Sequence, residues 1–147
     1  MMKRNSLAVL VMFAEVEKID NYIFFLAEQI RLAVQRIVVT VNGKLDDESV
    51  RKLSSCADDI FIRENKGFDC GAYKDTLENY LGWEEVRKYD ELILLNDSCY
   101  GPIYPLAPIF EQMDKRELDF WGITEQTPIR AGNYSLALLP YHVQTYF

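Results

Sequence analysis

Continuous runs of apolar residues recur along the chain and predict its strands. Such runs cover residues 7–13, 37–41 and 92–95, and a shorter one lies near residues 60–63. Each is long enough for a strand but too short for a typical helix, and none alternates strictly between apolar and polar residues. Uninterrupted apolar strands are typical of a parallel sheet that is covered on both faces. We therefore expect four buried parallel strands.

Amphipathic stretches between these runs predict helices. After Asp20, a candidate N-cap, apolar residues recur near helical spacing, and Asp46 or Asp47 can cap a short polar helix. Further helices are predicted after a glycine-containing loop over residues 66–73, and over residues 105–113, where the helix starts with proline. Strands that alternate with helices in this way predict an α/β fold.

The last part of the chain has a less regular pattern. "DFWGIT", residues 119–124, predicts a fifth strand, and "YSLALL", residues 134–139, a sixth. "YHVQTYF", residues 141–147, is typical of the start of a helix. No linker, repeat or low-complexity segment interrupts the sequence, so we expect one domain over residues 1–147, or the first part of a longer one.

Composition and charge narrow the class of protein. The 147 residues are 49% apolar with a net charge of -7, which favours a folded protein and disfavours a nucleic-acid partner. The cysteines Cys56, Cys70 and Cys99 are odd in number and form no Cys-x-x-Cys pair, so reduced cytosolic thiols are expected and a zinc site is not. No apolar run approaches the ~20 residues that span a bilayer. We expect a cytoplasmic protein, free or peripheral at the inner membrane face.

Polar side chains follow several of the predicted strands. Glu15 comes after the first strand, Asn65 after the third, Asn96 and Asp97 after the fourth, and Glu125 after the fifth. Ligands of open α/β sheets bind beyond the carboxyl ends of the strands. If the sheet is parallel, several of these side chains meet at one edge and form a candidate site.

The loop "RENKGFDCGAYK" contains Gly67 and Gly71 around Asp69. Glycines let a backbone approach a ligand closely, and Arg63 or Lys74 could meet a phosphate. The pattern is neither Gly-x-Gly-x-x-Gly nor a P-loop. The alternative is an ordinary loop with Asp69 as a helix N-cap.

Two titratable residues have open interpretations. Asp97, at a strand end, could bind Mg²⁺ or Mn²⁺ that bridges a diphosphate, or could be a turn acid bonded to nearby amides. His142 is the only histidine, and a lone histidine is more often structural than catalytic.

Four stretches together resemble a known family: "ENKGFDCGAYK", "YDELILLNDSCYGPIYPL", "DFWGIT" and "YHVQTYF". Their order and spacing are similar to the rhamnan synthesis protein F family, strongly over about residues 60–147. Members are bacterial glycosyltransferases that build rhamnose-containing cell-wall polysaccharides and lipopolysaccharide O-antigens.

The resemblance implies a Rossmann-like, three-layer fold of the GT-A type, complete or in part. It implies a nucleotide-diphosphosugar donor, with dTDP-L-rhamnose expected, and a saccharide acceptor, free or lipid-linked. A divalent metal would lie at Asp97, although only the middle residue of Asn96-Asp97-Ser98 is acidic, whereas GT-A enzymes usually carry Asp-x-Asp. The implied donor-binding residues are Asp69, Gly67, Asn65, Asn96 and Glu15; Asp119, Glu125 and His142 remain candidates for catalysis.

Two other functions stay open. The chain could bind a nucleotide-sugar or a partner without catalysis, which the missing second aspartate favours. It could also be another Rossmann-like enzyme, such as a nucleotidyltransferase or a hydrolase, although no motif of those classes is present.

Overall fold

A parallel sheet of four strands organises the computed structural model, which describes residues 4–15, 17–98, 100–126 and 142–144. The strands are β1 (Arg4–Ala14), β2 (Val34–Gly43), β3 (Asp59–Arg63) and β4 (Glu91–Asn96). Their order across the sheet is β3-β2-β1-β4. Each corresponds to a predicted strand, so the prediction of a parallel α/β sheet is confirmed.

Helices connect these strands. They are α1 (Asn21–Ala33), α2 (Asp47–Leu53), α3 (Phe68–Lys74), α4 (Trp83–Val86) and α5 (Ala107–Asp114). A π-helical segment (Asp75–Leu81) continues α3 directly. No described helix is both long and apolar enough to cross a membrane.

The apolar side chains of β1 divide between two cores. Successive side chains of a strand point to opposite faces of its sheet. Leu10 and Met12 therefore pack in one core with α1, α2 and α5, while Val9 and Val11 pack in the other with α3 and its π-helical continuation. The result is three layers, helices on both sides of a parallel sheet, which is compatible with a Rossmann-like fold.

Local signals for the helices were partly correct. Asp46 is the N-cap of α2, where its carboxylate accepts a hydrogen bond from the Ser49 N–H at 2.7 Å. Asp20 occupies the N-cap position of α1 but its side chain makes no capping bond. The prediction that β4 is buried on both faces is wrong for Leu92, which is 37% exposed, because β4 lies at an edge of the described sheet.

The predicted strand over residues 119–124 is wrong for all but its last residue. The Trp121 ring instead packs edge-on against Phe110 of α5, with ring centroids 5.4 Å apart. The fifth strand, β5, spans Thr124–Gln126 and pairs antiparallel with β6, His142–Gln144. The helix predicted to start near residue 141 is therefore wrong over residues 142–144. The strand predicted over residues 134–139 lies outside the described residues, and the single domain stays a prediction.

Candidate functional site

The strand order creates a crevice between β1 and β4. From β1 the chain moves to β2 on one side, and after β3 it crosses to β4 on the other side of β1. Such a topological switch point opens at the carboxyl ends of the strands, where α/β proteins bind ligands. Val11 of β1 is in register with Asn96 of β4, so the end of β4 lies directly beside the end of β1.

Asp97 spans this crevice. Its Oδ2 accepts a hydrogen bond from the Phe13 N–H of β1 at 3.0 Å, and its carbonyl oxygen accepts one from the Tyr22 hydroxyl of α1 at 3.2 Å. Burial raises the pKa of Asp97, the Phe13 bond opposes that shift, and the negative charge of Asp69 adds to it. The carboxyl group therefore ionises less readily than an exposed aspartate.

Asn96 brings Asp69 to the same edge. The Asn96 side chain is buried, and its Nδ2 donates to Asp69 Oδ2 at 2.9 Å. Its Oδ1 accepts a longer bond, 3.4 Å, from the Ser98 N–H. Asp69 belongs to the first turn of α3. Three of the residues predicted from the sequence, Asp69, Asn96 and Asp97, are thus neighbours in the fold.

The segment over residues 66–73 is not the predicted loop, because α3 already begins at Phe68. The N-cap is Gly67, not Asp69, and Gly67 has a φ of +75°. Phe68 also has a positive φ, +52°, which is rare for a bulky residue and marks a constrained backbone. A Cβ on Gly71 would lie 2.2 Å from the Lys66 carbonyl oxygen, so only glycine allows this close crossing.

Arg63 directs its guanidinium into the protein. Its Nε donates to Asp75 Oδ2 at 2.9 Å, its Nη2 donates to the Lys66 carbonyl at 2.7 Å, and its Nη1 donates to Asn42 Oδ1. The side chain is only 8% exposed. This geometry does not favour the prediction that Arg63 meets a phosphate. Lys74 is exposed, 4.0 Å from Glu78.

The other predicted residues are more peripheral. Glu15 follows β1 and Asn65 follows β3, so both lie at the carboxyl edge, and both are exposed. Asp119 is exposed in the segment between α5 and β5. Glu125 and His142 lie on the paired strands β5 and β6, and their side chains are not among those described.

Sequence reasoning missed two residues at this edge. Asn42 ends β2, where its buried side chain accepts from Arg63 and donates to the Phe68 carbonyl at 3.4 Å. No role was predicted for Asn42 from the sequence, although the strand-end rule applies to it equally. Tyr73 is likewise not predicted, and its buried hydroxyl has no hydrogen-bond partner among the described residues. Burial and the nearby Asp69 charge raise the pKa of this phenol.

The described residues offer two carboxylates to a cation. They contain no group of three or more His, Cys, Asp or Glu side chains that could hold a metal by themselves. Asp69 and Asp97 are close enough for one charge to raise the pKa of the other group. Mg²⁺ is commonly held by one or two carboxylates together with substrate phosphates and water. Asp69 and Asp97 are therefore the two carboxylates that a divalent ion would contact here.

Comparison with known proteins assigns the chain to a family. Two sequences of Virulence protein VirA from Vibrio anguillarum are each 32% identical to it over 89 residues, 60% of this chain and 24% of the relative. The chain thus spans about a quarter of the length of the curated relatives it matches. No solved structure matches. Residues 37–147 match the family described as Rhamnan synthesis protein F, a stretch that includes Asp69, Asn96 and Asp97. The chain belongs to the rhamnan synthesis protein F family.

Proposed function

We propose that the crevice between β1 and β4 binds a nucleotide-diphosphosugar and that the protein is a glycosyltransferase of bacterial polysaccharide synthesis. The observation that carries this proposal is the meeting of Asp69, Asn96 and Asp97 at the switch point of the sheet. Family membership supports the role in polysaccharide synthesis. The proposed donor is dTDP-rhamnose or a related activated sugar, used in the cytoplasm or at the inner membrane face.

Each residue of the crevice has a proposed part in donor binding. Asp97 and Asp69 would hold Mg²⁺ or Mn²⁺, and such an ion would offset the charge that develops on the diphosphate leaving group. Asn96 fixes the Asp69 carboxylate through its Nδ2–H. Glu15 and Asn65, exposed at the same edge, are proposed to contact the sugar or the nucleoside.

The proposed reaction inverts the anomeric centre of the donor. A base removes the proton of an acceptor hydroxyl, the hydroxyl oxygen bonds to the anomeric carbon, and the bond to the diphosphate breaks. Asp119 and His142 are the candidate bases. The acceptor is a saccharide, free or lipid-linked, and the product is part of a cell-wall polysaccharide or an O-antigen.

A binding role without catalysis is the second candidate function. Asn96-Asp97-Ser98 carries a single acid, and the described residues contain no complete set of metal ligands. A domain of this kind would hold the nucleotide-sugar, or a partner protein, for another subunit or domain to use.

Calorimetric titration tests the proposal. The purified protein is titrated with dTDP-rhamnose, dTDP and UDP, each with and without Mn²⁺, and compared with D97N. Asp90 provides a matched control, since it is also an aspartate beside β4 but lies at the opposite end of that strand. We expect Mn²⁺-dependent binding of the dTDP ligands by the wild type and D90N, and weaker binding by D97N.

The outcomes separate the two candidate functions. Release of dTDP from dTDP-rhamnose on addition of a saccharide acceptor supports the transferase, whereas binding without any turnover supports the binding role. If none of the three nucleotides binds, or if D97N binds as tightly as the wild type, the proposed site is wrong.

A further inference from the structure

One arginine bonds to three segments around Asp69. The Arg63 guanidinium, at the end of β3, bonds to the end of β2 through Asn42 and to the following loop through the Lys66 carbonyl. It also pairs with Asp75, where α3 passes into the π-helical segment, at 2.8 Å. We infer that Arg63 is a positioning residue, whose buried guanidinium fixes the 64–67 loop and thereby holds Asp69 against Asn96.

The inference rests on the proposed function, because Asp69 and Asn96 belong to the proposed donor site. It adds that this site depends on a side chain whose described hydrogen bonds go to Asn42, Lys66 and Asp75 and not to the site residues themselves. The Arg63 side chain is only 8% exposed, and its Nε, Nη1 and Nη2 each already donate to an acceptor of the protein. It therefore acts through the loop and not as a ligand of the diphosphate.

The loop has few other attachments to the sheet. Besides the Arg63 contacts, the described side-chain bonds from the sheet to this region are the 3.4 Å bond from Asn42 Nδ2 to the Phe68 carbonyl and the 2.9 Å bond from Asn96 Nδ2 to Asp69 itself. Asn42 is in turn bonded to Arg63. The backbone here adopts two successive positive φ values, at Gly67 and Phe68. A constrained backbone of this kind persists only where surrounding contacts hold it. Removing the guanidinium contacts should let the start of α3 relax, and Asp69 is in that first turn.

Only arginine provides this geometry. Its planar guanidinium carries five donors in a fixed fork, so it can reach Asp75, Asn42 and Lys66 at the same time. Lysine keeps the positive charge but presents one ammonium group on a flexible stem. Arg63→Lys thus removes the bridge while it leaves a cation near Asp75.

Arg36 is a matched control within the same sheet. Its guanidinium, like that of Arg63, forms ion pairs. The partners of Arg36 are Asp59 at 2.9 Å and Glu85 at 2.8 Å. It lies near the amino end of β2, whereas the crevice is at the carboxyl ends. Arg36→Lys therefore makes the same chemical change far from the site.

The experiment uses the native thiol of Cys70, which is exposed beside Asp69, as a reporter of loop order. The rate of alkylation at Cys70 is followed by peptide mass spectrometry in wild type, R63K and R36K without nucleotide. The dTDP affinity with Mn²⁺ and the thermal midpoint are measured on the same samples. We expect R63K to alkylate several-fold faster and to bind dTDP about tenfold more weakly, the effect of one lost charge-assisted hydrogen bond. R36K should match the wild type in both.

The three measurements separate positioning from general stability. Faster alkylation and weaker binding in R63K, at a thermal midpoint close to that of R36K, support the inference. Wild-type values for Cys70 in a folded R63K overturn it. If R63K does not fold, Gly71→Ala decides, because its Cβ pushes the Lys66 carbonyl off Arg63 without changing the arginine. A loosened Cys70 in G71A supports the inference, and an unchanged one overturns it.

Failure of the proposed function would be visible separately. If the wild type binds no nucleotide, the donor site is wrong, but the alkylation rates without nucleotide still decide whether Arg63 orders this loop.

Discussion

The carboxylate of Asp97 lies in an environment that disfavours its negative charge. Burial and the charge of Asp69 raise its pKa, and the backbone N–H groups of Phe13 and of Asp97 itself offset this only in part. A carboxyl group whose pKa is higher in the folded state than in the unfolded state makes the protein less stable once the pH exceeds both values. Below the unfolded pKa both states are protonated, and the penalty is absent. Asp97 therefore costs stability at neutral pH.

The variant D97N tests this cost. Its amide oxygen can still accept from the Phe13 N–H, while the buried charge is gone. We expect D97N to be at least as stable as the wild type at pH 7, with the difference shrinking as the pH falls toward about 4, where a model aspartate protonates. Thermal denaturation across this pH range gives the measurement. D90N should show no such trend. The expectation is contradicted if the stability of D97N relative to wild type is lower at pH 7 than at pH 4.

Gly43 closes the end of β2 against β1. It has a φ of +132°, and a Cβ there would lie 2.3 Å from the Ala14 carbonyl oxygen. Gly82 has a comparably unusual φ of +80° but open space around it. A substitution at Gly82 therefore tests the cost of the positive φ without a steric clash.

We expect G43A to lower the free energy of unfolding by more than about 3 kcal/mol and G82A by roughly 1–3 kcal/mol, because only the first combines strain with a backbone clash. Urea denaturation of both variants measures the difference. Equal losses would mean that the end of β2 can move away from Ala14 at little cost.

Two buried threonines join the π-helical segment that continues α3 to the sheet. Thr40 of β2 and Thr76 of the π-helical segment are 2.6 Å apart between hydroxyl oxygens, and Thr76 also donates to the Ala72 carbonyl at 2.8 Å. Since Thr76 donates to Ala72, the proton between the two hydroxyls comes from Thr40. The pair ties the helix that carries Asp69 to the centre of the sheet.

Thr76→Val leaves the Thr40 hydroxyl buried without its acceptor, so we expect a loss of about 1–3 kcal/mol. The double variant T40V/T76V removes both hydroxyls and should recover part of that loss. Urea denaturation of the two single variants and the double variant completes the cycle. Strictly additive losses would show that the two hydroxyls do not depend on each other.

Elements with strong local signals were predictable from the sequence. The apolar run of β1 and the Asp46 cap of α2 are determined within a few residues, and both were found. The stretch over residues 119–123 failed for the opposite reason. Its aromatic residues suit a strand, but Trp121 packs on Phe110, a contact between segments that no local pattern reveals.

The candidate site divides in the same way. The strand-end rule led to Asn96 and Asp97 because it needs only the ends of apolar runs. The role of Arg63 was not predictable, since Asn42 and Asp75 reach it from 21 residues before and 12 residues after in the chain. Those contacts depend on the strand order and on how α3 packs, and neither is encoded in a short motif.

In the molecule as a whole, the order of the strands in the sheet brings the residues of the candidate site together. Because β4 lies beside β1, the ends of these strands and the first turn of α3 bring Asp97, Asn96 and Asp69 together, while the end of β3 supplies Arg63. Burial is the largest cause of the raised pKa of Asp97, and repulsion by the charge of Asp69 adds to it. A divalent cation relieves that repulsion, so ligand, metal and fold stability should be coupled.

This coupling gives a prediction for the intact protein. A ligand that binds only the folded state stabilises it by RT ln(1 + [L]/Kd), about 2.7 kcal/mol at a hundredfold excess over Kd. We expect dTDP with Mn²⁺ to raise the thermal midpoint of the wild type, and dTDP alone to raise it less. Metal binding needs ionised carboxylates, and the pKa of Asp97 is raised. As the pH is lowered, the Mn²⁺-dependent increment should therefore fade at a higher pH than it would with an ordinary aspartate.

Thermal scans of wild type and D97N from pH 5 to 8 measure this increment. An increment that persists unchanged in D97N would remove Asp97 from the metal site, and an increment without pH dependence would mean that the ion binds elsewhere.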